Sequence, residues 1–163
     1  MEKILAIDFS TASTGYAFTH PLSGDKVVGS LSGGNSKDPM ERTFVIVEQL
    51  IEIVEYYAIE DYFIAIEEPI IVRRTKGNIS LVRANGYFLS AMRIKFNMGY
   101  IDVSNSSWAS YHFITGKRPE RKKQSMNILE RSGIVEKEFI NDDMADAYCI
   151  LLFCEAKLKE NKE

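Results

Sequence analysis

The chain opens with runs and alternations of apolar residues and turns to helical spacing only later. Residues 3–9, 14–20 and 26–31 read as three strands, the first built on a continuous apolar run, Ile4 to Ile7, that ends on Asp8. HPLSGDK, between the second and third, is a turn, and SGGNSKDP breaks the pattern. A helix start follows, with Asp38 at the N-cap, Pro39 at the first helical position and Glu41 at the third. Phe44, Val47, Leu50, Ile51, Val54 and Tyr57 then recur at helical spacing to about Ala58. DYFIAIEEP predicts a fourth strand stopped by Pro69, IIVRRTKGN a loop, 79–96 a second helix and GYIDVS a fifth strand. A short helix is predicted over 106–113. TGKRPERKK is a basic loop leading into a helix over 119–131, closed by Gly133. A last helix over 144–159 takes Asn141 or Asp142 as its cap.

The order βββαβαβααα predicts an α/β fold. Three strands joined by short turns form an antiparallel meander, while strands reached through helices need crossovers and so pair in parallel. The expectation is a five-stranded mixed sheet flanked by helices, in one domain spanning residues 1–163 with a charged tail from about 157. A hydrophobic fraction of 45% is enough for a core, and no apolar run is long enough to span a membrane. Met1-Glu2-Lys3 leads straight into a strand, so no secretory leader and a cytoplasmic location are expected. Cys149 and Cys154 stand five apart in a predicted helix, which is neither a metal spacing nor a redox motif. Of the two histidines, His20 and His112, neither has a zinc-like setting.

A net charge of −3 argues against nucleic acid, but its distribution argues the other way. Residues 69–135 hold twelve Lys and Arg against three acids, Asp102, Glu120 and Glu130. An acidic chain can thus carry a basic face. A solvated helix surface would read the same way, so charge alone leaves the question even.

The acids sit where apolar runs end. Asp8 closes the first strand and Glu67 the fourth, in FIAIEEP. Strand alternation sets Ala65 and Glu67 on one face and Ile64 and Ile66 on the other, which favours Glu67 over Glu68 as the inward acid and leaves Glu68 beside it. In DDMADAYCILLF, Asp143 and Asp146 are three apart on one face of a helix start. Either alone is accounted for by the helix dipole. The set of four suits hard, oxygen-binding ions, Mg²⁺ or Mn²⁺. Two such ions can activate a water and stabilise a leaving oxygen in phosphodiester hydrolysis.

AIDFSTASTGYAF, IAIEEP, the helix GNISLVRANGYFLSAM after a basic loop, and DDMADAYCILL occur in this order in RuvC-type Holliday junction resolvases of the ribonuclease H-like superfamily, and the chain resembles a phage-borne member over nearly its whole length. The resemblance implies the mixed sheet read above, with strands one to three antiparallel. It implies Asp8, Glu67, Asp143 and Asp146 as catalytic, metal-binding acids for two Mg²⁺ ions, replaceable by Mn²⁺. It also implies paired, symmetrical nicking of four-way DNA junctions by a homodimer, in the host-cell cytoplasm if phage-encoded. A catalytic lysine of the basic segment has candidates in Lys122 and Lys123. The lysine that such enzymes carry on the short helix is missing, Ala109 or Ser110 falling there.

For DNA, Arg73, Arg74 and Lys76 directly follow the fourth strand, and Lys117, Arg118 and Arg121 form a second cluster. Ile70 and Ile71 are weak candidates for an apolar wedge. Leu81, Val82, Tyr87, Phe88, Ala91 and Met92 cover more than one stripe of the second helix, enough for a core face and a partner face. Three other readings compete. Another ribonuclease H-like nuclease, cutting RNA hybrids or flaps, would share the acids. An actin-like phosphate-binding protein would share a loop like DFSTASTG, but that class duplicates its domain. A non-catalytic DNA architectural protein would leave four acids without use.

Overall fold

A computed structural model describes residues 3–69 and 75–160. It contains the five-stranded mixed sheet, in the order β3-β2-β1-β4-β5. β1 (Ile4–Asp8), β2 (Ser13–Thr19) and β3 (Lys26–Ser32) form the antiparallel meander, and β4 (Phe63–Glu67) and β5 (Tyr100–Val103) extend it in parallel from β1. Helices α1 (Pro39–Tyr57) and α2 (Lys76–Phe96) cover one face. α3 (Asn105–Tyr111), α4 (Arg118–Ser132) and α5 (Asp142–Glu160) lie on the other. Among the described residues, no helix is long and apolar enough to cross a membrane.

Alternation along the central strands explains the two layers. Leu5, Ile7, Phe18, Ile64 and Ile66 point to the α1/α2 side, where they pack with Ile46, Leu50, Val54, Phe88 and Met92. Ala6, Ala17 and Ala65 point to the other side and meet Ala145, Ala147 and Ile150 of α5. Large residues fill one layer and alanines thin the other, so α5 lies close against β1 and β2. Gly15 takes this furthest: a Cβ there would stand 1.9 Å from the carbonyl oxygen of Asp143 and 2.9 Å from the amide nitrogen of Met144. The α5 backbone occupies the space that any larger residue would need.

Capping decides the helix starts, and it moves several of the predicted ones. Asp38 caps α1 as expected, accepting from the Met40 N–H at 2.9 Å. α2 begins earlier than predicted: Thr75 accepts from the Asn78 N–H at 3.2 Å, so Lys76 is helical rather than part of a loop. Gly77 in the first turn conceals that start in the sequence. α5 also begins early, at Asp142, with Asn141 as its cap, accepting from the Met144 N–H at 3.0 Å. α3 runs from Asn105, behind a Ser104 cap. A 3₁₀ turn at Lys137–Phe139 has no periodic signal in the sequence. Ile70, Ile71, Arg73 and Arg74 lie outside the described residues.

Candidate active site

β1 and β4 end side by side. Their parallel register pairs Ala6 with Ala65 and Ile7 with Ile66, so Asp8 and Glu67 occupy the next step, both on the face toward α5. Asp8 also pairs with Gly15 across β2, the residue that admits the first turn of α5. That turn brings in Asp142 and Asp143, with Asp146 one turn on. All these acids line one cleft of about 500 Å³, together with Ser10, Glu68, Asn105, Trp108, Arg118, Arg121 and Lys122. The turn from β1 is tied by Thr14, whose hydroxyl donates to the Ser10 carbonyl at 2.8 Å.

The acids strain against each other. Burial pushes Asp8 well above the usual carboxylate range, and the charges of Asp146, Glu67 and Asp143 push it further. Asp146 is raised to about 6, first by burial, with Glu67 and Asp143 adding to it and a hydrogen bond from Ser125 opposing. Burial also raises Glu67, opposed by the hydrogen bonds described next. Four hard oxygen donors facing one space are the chemistry that a divalent cation requires. Among the described residues, no three His, Cys, Asp or Glu side chains stand close enough together to hold a metal ion as they are placed.

Glu67 is held at both oxygens. Asn105 Nδ2 donates to Oε1 at 3.0 Å, and Trp108 Nε1 donates to Oε2 at 2.9 Å. Arg121 in turn donates to Asn105 Oδ1. Each carboxylate oxygen keeps a lone pair for a second partner. α3 therefore meets the cleft through Asn105 and Trp108, while Ala109 is buried and Ser110 is exposed. Neither Asn105 nor Trp108 was legible as a site residue. Their partner lies about forty positions away, and a lone tryptophan on a short helix reads as core.

The predicted basic residues divide. Lys122 lines the cleft and forms an ion pair with Asp142, while Lys123 is exposed and lies outside the lining. Arg118 and Arg121 line the cleft. Lys117 and Lys76 are exposed at the starts of α4 and α2. Glu68 lines the mouth as an exposed residue, its N–H bonded to the Val103 carbonyl at 2.9 Å. Asp142 joins the site although the sequence offers it only as a cap. His112 faces α5 instead, donating from Nε2 to the Cys149 carbonyl at 2.8 Å, and burial lowers its pKa.

No curated protein matches the chain significantly. Solved structures do. Thermus thermophilus RuvC in complex with a Holliday junction substrate aligns over 92% of this chain and 90% of that one, at 16% identity and a TM-score of 0.66. A Thermus thermophilus RuvC structure aligns over 97% and 96%, at 14% identity and a TM-score of 0.68. Fowlpox virus resolvase with its substrate Holliday junction DNA aligns over 95% and 97%, at 15% identity and a TM-score of 0.58. At such identities the likeness is one of fold, and that fold is the RuvC-type, ribonuclease H-like one. One family model spans residues 1–156, and on that match the chain belongs to the family described as Lactococcus phage M3 protein.

Proposed function

We propose that this protein is a divalent-metal-dependent endonuclease that resolves four-way DNA junctions. The observation that carries the reading is the single cleft in which Asp8, Glu67, Asp143 and Asp146 face Lys122, Arg118 and Arg121. Asp8, Glu67, Asp143 and Asp146 would hold two Mg²⁺ ions, with Mn²⁺ as a substitute. Bound there, the ions would supply an activated water and charge stabilisation for the leaving oxygen. The chain's own residues do the rest. Asn105 and Trp108 fix the Glu67 carboxylate before substrate arrives. Lys122, held at the mouth by Asp142, offers its ammonium to the scissile phosphate. Arg118, Lys117 and Lys76 contribute phosphate contacts, and such contacts supply position and most of the affinity.

The fold resembles that of proteins whose structures include Holliday junctions, which supports a branched substrate. One acid cluster cuts one strand, so paired symmetrical nicks require two copies, and a twofold dimer matches the symmetry of a junction. Val82, Tyr87 and Ile94 on α2 are 41%, 40% and 86% exposed, apolar surface available to a second copy. The family's phage description supports action in the host-cell cytoplasm. The test is incubation of the protein with end-labelled four-way junction, Y-fork, linear duplex and RNA–DNA hybrid, in Mg²⁺, Mn²⁺ or EDTA. Cleavage of the junction at two opposed strands, absent in EDTA, is expected. Preferential cutting of the hybrid would instead assign a different ribonuclease H-like nuclease.

The adjacent glutamates give a sharper check. Glu67 shares its strand face with Ala65 and points to α5, while Glu68 is exposed. Glu67→Gln is expected to remove cleavage and Glu68→Gln to retain most of it, measured as single-turnover rates. The reverse outcome would place the metal on the other glutamate, since successive strand residues face opposite ways.

A further inference from the structure

α3 closes through a left-handed residue one position past its His112 cap, and that residue is the wrong one for its backbone. Phe113 has φ 57°. Its N–H bonds the Ser110 carbonyl at 3.0 Å, and the Ile114 N–H bonds the Ala109 carbonyl at 2.9 Å, the paired bonds that close a helix through such a residue. Glycine is the usual occupant, because an L side chain crowds the following carbonyl there. The other non-glycine residues with positive φ among those described are Ala58, which is small, and Asn97, which tolerates the conformation. Packing does not explain the phenylalanine either, since Phe113 is 86% exposed.

The loop around it is fixed. On one side, His112 is tied to α5 through the Cys149 carbonyl. On the other, Ile114 is buried in the core. Gln124 accepts from the Thr115 N–H at 3.2 Å and donates to the Thr115 carbonyl at 2.6 Å. Glu120 accepts from the Lys117 N–H at 2.7 Å. A rigid loop therefore projects one aromatic ring into solvent, four residues before the exposed Lys117 and five before Arg118, which lines the cleft. Strain kept at an exposed position points to a use for the side chain.

We propose that Phe113 is a stacking platform for an unpaired base at the branch of a DNA junction, with Lys117 and Arg118 holding the adjoining phosphates; the inference rests on the branched-DNA reading above. Aromatic rings stack on any base and need no sequence to do so, while flanking cations track the backbone. The test uses the full chain in EDTA, with a four-way junction carrying 2-aminopurine at the branch and a linear duplex of the same length. Phe113→Gly is expected to bind the junction roughly tenfold more weakly and the duplex within about twofold. It should also lose the 2-aminopurine quenching, at an equal or higher thermal midpoint, because glycine suits the cap. Phe113→Tyr should keep both affinity and quenching. Wild-type junction affinity and quenching in Phe113→Gly would overturn the inference. So would a lower thermal midpoint or a changed mass in light scattering, which would assign the ring to packing or to a second copy. A wild-type protein with no preference for the junction over duplex would instead sink the functional reading, and the inference with it.

Discussion

Asp8→Asn is expected to bind junction DNA at least as tightly as the wild type and to cut it roughly a thousandfold more slowly or worse. Removing a negative charge beside phosphates cannot weaken their attraction, whereas hydrolysis loses a proposed ligand whose ion supplies several kcal/mol of charge stabilisation. The same change should stabilise the metal-free fold. Burial raises the pKa of Asp8, Glu67 and Asp146, the last from 3.8 to about 6. The folded state thus binds more protons than the unfolded one between about pH 4 and 6. These groups contribute stability that is full below their unfolded values and is lost as pH rises through the folded ones. Burial of Asp146 among the neighbouring carboxylates thus costs the fold stability at neutral pH. Without metal, the thermal midpoint of Asp8→Asn should therefore exceed that of the wild type by more at pH 8 than at pH 5. Mg²⁺ should raise the wild-type midpoint and barely move the variant. A variant that cuts at the wild-type rate in saturating Mg²⁺ would show that the acids are not the catalytic set.

Gly15→Ala should damage the site through the backbone alone. The added carbon would lie 1.9 Å from the Asp143 carbonyl oxygen and 2.3 Å from its carbon, atoms that no rotamer change can move aside. Either β2 or the start of α5 must shift. Overpacking of this kind costs roughly 1–3 kcal/mol, or about 3–10 °C in thermal midpoint for a chain of this size. Asp143 and Asp146 travel with the helix. A misplacement near 1 Å is enough for roughly a hundredfold loss of rate. The expected protein is folded, less stable, close to wild type in DNA affinity and about a hundredfold slower in cleavage. Unchanged stability and rate would mean that α5 does not depend on Gly15 for its approach to the sheet.

Phe113→Gly and Gly15→Ala make a useful contrast. One relieves a strained backbone and is expected to lose substrate discrimination. The other strains a relaxed backbone and is expected to lose rate.

The pattern of residues along the chain was enough for the element order, the mixed sheet and the two strand-end acids. These depend on periodicity and on apolar runs that end at a charge, both local properties. Alternation in FIAIEEP also pointed Glu67, rather than Glu68, toward α5, since a side chain's face in a strand is set by counting in twos. Helix starts were less legible, because a single capping hydrogen bond decides them, as at Thr75 and Asn141. Convergence was the part that no local rule contains. Asp8 meets Asp143 because Gly15 leaves room for a helix backbone 128 residues later in the chain. Glu67 gains Trp108 and Asn105 because β5 lies next to β4 and delivers α3 to its end. Lys122 is set apart from Lys123 because Arg118, Arg121 and Lys122, at i, i+3 and i+4, share the face of α4 turned to the cleft, and Lys123 falls beyond its edge. Distances across a sheet are fixed by register and by side-chain size in the layer beneath, quantities that exist only once the chain has packed.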